Sequence, residues 1–305
     1  MWSDLNDLIL PSPIQEVDFP LLKNKNIRLW IKRDDLIHPW VSGNKYRKLK
    51  YNLKSAIENK CKAIVTFGGA FSNHLHATAG ACALLGLKSV GIVRGEIDLN
   101  NPTIKFCIER GMNLIPVSRA AYRLKENSQE IMELIQKYPD CYMVPEGGTN
   151  QLALRGASEI VDEIKIQWSE MPEIISLACG TGGTTAGILS ANLLNSKVIA
   201  FSALKSSHLE SEIKQLSDFK NADKLSVQTD FHFGGYAKWN TELIDFIYDF
   251  EKQTDIPLDH VYNGKAMFGL FKLILADYFE PGSTICYIHT GGLQGKDGLK
   301  YMAGK

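Results

Sequence analysis

Short apolar runs alternate with segments of helical periodicity along most of the chain. Residues 27–31 alternate apolar and polar side chains with period two, which is typical of a half-buried strand. Other runs are almost entirely apolar, as parallel strands covered on both faces are, and they lie at 63–67, 89–93, 113–117, 174–178, 198–201 and 284–288. Helical patterns separate them, for example at 128–137 and 241–253. This order predicts an α/β protein with open, mainly parallel sheets.

Composition narrows the functional classes. The 305 residues include 34 Lys+Arg and 34 Asp+Glu, so the formal net charge is zero. A neutral chain is a poor candidate for a general binder of nucleic acid or anionic membranes. No run approaches the roughly 18 apolar residues that span a bilayer, and no signal-peptide pattern opens the chain. We therefore expect a cytoplasmic protein without a nucleic-acid or membrane partner.

Metal chemistry is not indicated either. The six cysteines are scattered without a C-x-x-C pair. His74 and His76 are two residues apart, so on a helix they face different sides and do not form a metal pair. We expect no metal site.

A glycine-rich loop follows the predicted strand at 174–178. Its sequence is Cys179-Gly180-Thr181-Gly182-Gly183-Thr184-Thr185-Ala186-Gly187. Backbone amides of such a loop, together with the start of the next helix, form an anion site. The dinucleotide pattern fails at Thr185, and the P-loop pattern fails because Ile188 stands where lysine is required. The loop predicts a phosphate held by amides and threonine hydroxyls without lysine or magnesium, although a tight turn also needs small residues.

Lys45 stands at the start of a predicted amphipathic helix. The apolar stripe of this helix consists of Tyr46, Leu49, Leu53 and Ile57. The side chains expected to point away from the stripe need no function, and they are Arg47, Lys50 and Lys54. A cation is unfavourable at a helix N-terminus, and burial would lower its pKa further. Lys45 could therefore be the neutral amine that a Schiff-base nucleophile requires. Position alone leaves an ordinary solvated helix face equally open.

A second polar turn, Ser72-Asn73-His74, follows the strand at 63–67 and precedes an alanine-rich helix. Ser72 or Asn73 can cap that helix, and this structural role alone would explain the turn. In open α/β sheets, however, ligands bind beyond the carboxyl ends of the strands, where both polar turns are expected.

The ordered set of motifs resembles the pyridoxal-phosphate enzymes of fold type II, the tryptophan synthase β-like group. Within that group the chain is similar to the 1-aminocyclopropane-1-carboxylate deaminase/D-cysteine desulfhydrase family. The matching segments span nearly the whole chain and are 31–36, 43–49, 71–74, 179–184, 261–267 and 288–292.

The resemblance implies pyridoxal 5'-phosphate as cofactor and assigns roles to individual residues. Lys45 would bind the cofactor covalently, Asn73 would bond its ring hydroxyl, and Cys179 with residues 180–184 would hold its phosphate. Asn263 and Thr290 would lie near the pyridine nitrogen. The residues implied to face the small amino-acid substrate are Ser72, Asn73, His74, Tyr236 and Tyr262, of which Ser72, Tyr236 and Tyr262 are catalytic candidates.

The family's fold would divide the chain into two open-sheet domains with the active site in the cleft between them. Residues 1–50 and 154–305 would form the large cofactor-binding domain, and residues 51–153 the small one. Homodimers are usual in the group.

The implied reaction is β-elimination from a small D-amino acid, with D-cysteine as the best candidate. Deaminases of the family have Glu where this chain has Asn263 and Gln where it has His74, and they lack the Thr-Gly-Gly form found at Thr290. These positions favour the desulfhydrase. Cyclopropane ring opening remains the alternative enzyme activity, and a non-catalytic cofactor-binding regulator remains the alternative class.

Overall fold

The computed structural model describes residues 7–168 and 170–304 and contains two separate sheets. The strands are β1 (Ile14–Glu16), β2 (Arg28–Lys32), β3 (Ala63–Gly68), β4 (Lys88–Arg94), β5 (Met112–Val117), β6 (Cys141–Met143), β7 (Ile174–Cys179), β8 (Lys197–Ser202), β9 (Leu225–Gln228) and β10 (Thr284–Ile288). The helices are α1 (Pro20–Lys25), α2 (Gly43–Glu58), α3 (Asn73–Leu85), α4 (Pro102–Glu109), α5 (Arg119–Leu124), α6 (Gln129–Gln136), α7 (Gln151–Gln167), α8 (Gly183–Leu189), α9 (Leu209–Leu216), α10 (Thr241–Thr254), α11 (Asn263–Leu275) and α12 (Gly295–Ala303).

The larger sheet has six strands in the order β1-β2-β10-β7-β8-β9. Only β1 runs antiparallel to its neighbour, at one edge. Every residue of β7 is buried, because helices cover both faces of the central strands. This sheet explains why the run at 174–178 is almost wholly apolar.

The smaller sheet has four parallel strands in the order β5-β4-β3-β6. Its strands all lie within residues 63–143, inside the segment expected to form the small domain. Helix α2 continues past residue 50, so the boundary expected there falls inside a helix. The division at residues 50 and 153 stays a prediction.

The predicted fold class is confirmed, since two open sheets with mainly parallel strands carry helices between successive strands. The seven apolar or alternating runs correspond to β2, β3, β4, β5, β7, β8 and β10. Three strands, β1, β6 and β9, were not predicted; each has only three or four residues, too few to show a period.

Arg47 corrects one expectation about α2. It was predicted to point to solvent, but its side chain is fully buried between two carboxylates. The guanidinium donates to Asp34 at 2.8 and 3.0 Å and to Glu163 at 2.5 and 2.9 Å. Lys32 Nζ donates to the same Glu163 at 2.7 Å. These bonds tie α2 to the end of β2 and to α7, and so fix the direction in which α2 enters the cleft.

The carboxyl ends of β3, β4, β7, β8 and β10 open toward one cleft, as parallel topology requires. None of the described helices is long and apolar enough to cross a bilayer. The cytoplasmic location stays a prediction.

Candidate active site

The cleft holds a cavity of about 580 Å³, within the range of small-ligand sites. The structure brings nearly all the predicted site residues to its wall, namely Lys45, Ser72, Asn73, His74, Cys179, Gly180, Thr181, Gly182, Gly183, Thr184, Tyr236, Tyr262 and Thr290. Asn263 is the exception and lies behind the wall. Among the described residues that line the cavity, Glu146 is the only carboxylate.

The start of α2 is seated directly on the end of β10. Gly43 has φ +62°, and a Cβ there would lie 2.0 Å from the carbonyl oxygen of Thr290. Asn44 N donates to the same carbonyl at 3.1 Å. Glycine is therefore required at 43 both by backbone conformation and by space, and this contact brings the next side chains of α2 into the cavity.

The amine of Lys45 faces the cavity without a carboxylate partner. Within the described residues, no hydrogen bond or ion pair engages its Nζ. Burial lowers its pKa from 10.5 to about 8, because the ammonium form loses solvation and gains no counter-charge. A much larger fraction of this lysine than of a solvated one is therefore a neutral amine.

Lys48 is a site residue that the sequence reasoning missed. It is fully buried one turn after Lys45, and Nζ donates to Gly147 O at 3.0 Å and to Thr149 Oγ1 at 2.9 Å. Burial, followed by the charge of Lys45, lowers its pKa well below the ordinary value. The three-residue spacing from Lys45 was the available signal, since residues three apart share a helix face.

The glycine loop passes close to this second lysine. A Cβ on Gly183 would lie 2.6 Å from Thr149 Oγ1 and 2.9 Å from Lys48 Nζ, so a side chain there would displace both. The fold therefore places a lysine beside a loop whose own sequence contains none, and the phosphate contacts expected for the loop stay a prediction. Thr184 Oγ1 accepts from Asn44 Nδ2 at 3.1 Å, which links the loop to α2.

Ser72 and Asn73 differ in role: one caps a helix, and the other is available to a ligand. Ser72 caps α3, because its Oγ accepts from Leu75 N at 3.2 Å. The amide of Asn73 has no hydrogen bond within the described residues and lies at the cavity wall near Gly292. Asn73 is therefore the member of the turn whose donors and acceptor are available to a ligand.

His74 supports the wall as a neutral ring. Thr66 Oγ1 donates to Val144 O at 2.8 Å, so His74 Nε2 must donate to Thr66 Oγ1, also at 2.8 Å. Its Nδ1 is then a buried acceptor without a partner in the described residues. Burial, with the charges of Lys45 and Lys48, lowers the pKa of His74 well below 6.5. This imidazole is not a base at neutral pH.

Two tyrosines form the opposite wall. The rings of Tyr236 and Tyr262 meet edge to face with centroids 6.1 Å apart. Burial, and then the neighbouring Tyr236 and Asp259, raises the pKa of Tyr262 well above 10. Lys265 Nζ donates to His232 O at 2.9 Å and Gly235 O at 2.7 Å, which holds the loop that carries Tyr236.

Asn263 is not placed where a ligand could reach its amide. Its Nδ2 donates to Asp259 Oδ1 and Gly291 O, and its Oδ1 accepts from Tyr287 OH and from Thr290 N and Oγ1. The residue is fully buried. Thr290 lines the cavity in its place, and Asn263 orients the hydroxyl of Thr290 from behind.

This fold and site define an α/β enzyme of the class that binds a phosphate-bearing aldehyde cofactor. An unpartnered amine at Lys45, a free amide at Asn73 and a glycine loop beside Lys48 converge on one cavity. That donor set fits pyridoxal phosphate, whose aldehyde, ring hydroxyl and phosphate need an amine, an amide and an anion site. The described residues contain no group of three His, Cys, Asp or Glu side chains placed to hold a metal.

Comparisons with known proteins agree with that class. The model of the family described as "Pyridoxal-phosphate dependent enzyme" matches residues 5–291. The chain therefore belongs to the pyridoxal-phosphate dependent enzyme family, and its cofactor is pyridoxal phosphate.

Similar proteins refine the position within the family. The bifunctional D-cysteine desulfhydrase/1-aminocyclopropane-1-carboxylate deaminase, mitochondrial, of Arabidopsis thaliana is 35% identical over 94% of this chain and 77% of that protein. The D-cysteine desulfhydrase of Klebsiella pneumoniae is 29% identical over 87% and 86%. A crystal structure of an ACC deaminase homologue matches with a TM-score of 0.81 at 28% identity, covering 96% of this chain and 94% of that one. The predicted family resemblance is confirmed.

Proposed function

We propose that this protein is a pyridoxal-phosphate dependent lyase that catalyses β-elimination from a small D-amino acid, with D-cysteine as the leading candidate. The overall change is D-cysteine and water to pyruvate, ammonia and hydrogen sulfide. The observation that carries the proposal is the unpartnered amine of Lys45, with its pKa of about 8, opposite the glycine loop. The names of the Arabidopsis thaliana and Klebsiella pneumoniae relatives support this choice of reaction.

The cofactor-binding roles follow from the available groups. Lys45 would bind the aldehyde, and Asn73 the ring hydroxyl, because neither side chain has another partner in the described residues. Residues 180–184 would hold the phosphate with amides and hydroxyls. Lys48 would add a cation, because a bound phosphate would favour its ammonium form, and the two bonds to Gly147 and Thr149 leave the third ammonium proton for that anion.

The remaining groups would act on the substrate. Lys45 Nζ would take the proton from the substrate Cα as a neutral base. Ser72 and Asn73 would bind the carboxylate, and the Tyr236–Tyr262 wall would cover the β-carbon and its leaving group. When bound, pyridoxal phosphate supplies an electron sink conjugated to the substrate Cα.

The neighbourhood of Thr290 favours elimination over ring opening. Thr290 offers a neutral hydroxyl, and the carboxylate of Asp259 is separated from the cavity by Asn263. A carboxylate beside the pyridine nitrogen would keep that nitrogen protonated and strengthen the sink, whereas a hydroxyl does not. Removal of an acidic Cα proton needs a weaker electron sink than opening of a cyclopropane ring, because the cyclopropane substrate has no such proton.

A second candidate is 1-aminocyclopropane-1-carboxylate deamination, which gives 2-oxobutanoate and ammonia. The high pKa of Tyr262 keeps its hydroxyl protonated, as an acid that delivers a proton to a ring carbon must be. The names of several relatives support this activity too.

Turnover of cysteine enantiomers tests the leading proposal. The cofactor-loaded enzyme should release pyruvate and sulfide in equal amounts from D-cysteine, and much less from L-cysteine. Lys45→Ala should release neither product, while Lys50→Ala, on the same helix but outside the cavity, should retain activity. Pyruvate formation by the Lys45→Ala variant, or none by the wild type, would contradict the proposal.

We also propose that the chain forms a homodimer, as is usual among the pyridoxal-phosphate enzymes of fold type II. Sedimentation equilibrium should give twice the 34.0 kDa mass of the chain. A monomer at micromolar concentration would exclude the dimer.

A further inference from the structure

A second, basic cavity adjoins the active-site cavity. This vestibule has a volume of about 690 Å³, and its lining consists of Gly69, Ala70, Phe71, Arg94, Arg119, Tyr122, Arg123, Lys125 and Glu146. Five of these residues, 69–71, Arg94 and Glu146, line the active-site cavity as well. The two cavities therefore share part of their lining, and Arg94 belongs to both.

The vestibule carries four cations against one carboxylate. Glu146 is already engaged, because it accepts from Tyr122 OH at 2.6 Å and pairs with Lys125 Nζ at 3.0 Å. Within the described residues, no carboxylate pairs with Arg94 or Arg119.

Arg123 is likewise without a carboxylate partner in the described part of the chain. Each of the three guanidinium groups belongs to a residue exposed to solvent. Within the described residues, no carboxylate therefore offsets their charge by direct pairing.

Two of these arginines lie close to glycines at the ends of β3 and β4. The guanidinium of Arg94 lies 3.5 Å from the position a Cβ would take on Gly69, and 5.8 Å from the centre of the Tyr122 ring. Arg119 Nε lies 4.0 Å from the corresponding position on Gly95. Arg94 is therefore close to the turn that leads to Ser72.

The positive charge of the vestibule does not attract a substrate whose side chain is neutral. At neutral pH an amino acid such as serine has one positive and one negative group and no net charge. A field of uncompensated cations attracts a ligand only if that ligand is a net anion. The α-carboxylate has its own candidates at Ser72 and Asn73, so the vestibule is left for a second negative group.

We propose that the site prefers small amino acids whose β-substituent carries a negative charge, such as a phosphate ester, and that Arg94, Arg119 and Arg123 bind that group. The inference rests on the β-elimination proposed above and names its substrate class. In the reaction of O-phosphoserine, Lys45 takes the Cα proton and the Cβ–O bond breaks with its electron pair on phosphate. Water then replaces the amino group, which gives pyruvate, ammonium and inorganic phosphate.

A matched pair of esters tests the preference. O-phosphoserine and O-acetylserine both lose an oxygen leaving group from Cβ and both give pyruvate, but only the first carries negative charge on its side chain. With the cofactor-loaded enzyme, kcat/KM should be at least about tenfold higher for O-phosphoserine at low salt, in one enantiomeric series. This advantage should shrink as potassium chloride is added, because salt screens exposed charges.

Two variants locate the effect. Arg119→Gln and Arg123→Gln, which line only the vestibule, should each lower kcat/KM for O-phosphoserine about fivefold and leave O-acetylserine unchanged. Arg28→Gln, an exposed arginine on the other sheet, should change neither substrate.

The outcomes separate this inference from the proposed function. Pyruvate from D-cysteine and O-acetylserine without any preference for O-phosphoserine overturns the inference and leaves β-elimination standing. Equal losses for both esters in the arginine variants also overturn it, since they would assign the charge to the α-carboxylate. Absence of pyruvate from all three compounds overturns both proposals.

Discussion

Attachment of pyridoxal phosphate to Lys45 should depend on pH with a midpoint near 8. Only the neutral amine adds to an aldehyde, and burial without a counter-charge lowers the pKa of this lysine from 10.5 to about 8. At pH 7 about one lysine in ten is then neutral, compared with about one in 3000 for a solvated lysine. The buried site therefore supplies about 300 times more nucleophile at neutral pH.

The assay mixes cofactor-free protein with pyridoxal phosphate at a series of pH values. The rate of attachment is followed by visible absorption, and the product is fixed by borohydride reduction and located by peptide mass spectrometry. The rate should rise about tenfold from pH 6 to pH 7 and level off above pH 9.

Lys45→Arg is the control, because it keeps a cation in the cavity but cannot bind the aldehyde. A midpoint near 10.5 would show that the amine is solvated and would refute the reasoning. Label on Lys48 instead of Lys45 would show that the wrong lysine had been assigned.

Three further predictions concern the surroundings of that lysine. Burial alone would raise the pKa of Glu163, but hydrogen bonds and charge from Arg47 and Lys32 outweigh it and lower this pKa to about 2. The contribution of Glu163 to stability is therefore complete above pH 4.5 and is lost toward pH 2. Glu163→Gln should cost about 3 kcal/mol of unfolding free energy at pH 7 and flatten its acid dependence, measured by urea denaturation. Lys48→Gln should weaken the binding of pyridoxal phosphate about tenfold in equilibrium titrations, and it should leave the binding of phosphate-free pyridoxal unchanged. Gly43→Ala should cost at least about 2 kcal/mol and abolish cofactor attachment, because its Cβ would overlap the carbonyl of Thr290.

Two of these variants have a control in the same chain. Glu159→Gln removes a half-exposed partner of Lys50 on the same helix and should cost less than about 1 kcal/mol. Gly86→Ala imposes a similar positive φ of 67° with nothing within 4 Å, so it isolates backbone strain from the clash at residue 43. Equal effects in a variant and its control would contradict the assigned cause, as would a Lys48→Gln protein that loses pyridoxal and its phosphate alike.

Local patterns predicted the strands and the polar turns because these depend on neighbouring residues. Two of the polar segments, the glycine loop and the Ser72-Asn73 turn, follow strands with a visible apolar pattern. Lys45 begins a helix with a visible apolar stripe, and the parallel topology brings all three together. The sequence patterns and the parallel topology together therefore predict that these groups share one cleft.

Other residues have surroundings that local patterns do not reveal, because their partners lie elsewhere along the chain. Arg47 is buried because Asp34 and Glu163, 13 and 116 positions away, surround it. Asn263 has its amide taken up by Asp259, Thr290 and their neighbours, which a sequence motif does not reveal. Lys48 carried a local signal in its spacing from Lys45, but only the fold shows that the glycine loop approaches it.

The most direct test of the proposed reaction is a competition between two substrates. The cofactor-loaded enzyme is given D-cysteine and 1-aminocyclopropane-1-carboxylate together, and the released 2-oxo acid is identified. Pyruvate as the main product is the result expected from a neutral hydroxyl at Thr290 with no carboxylate beside it. 2-Oxobutanoate as the main product would contradict the proposed β-elimination and establish the ring-opening activity instead.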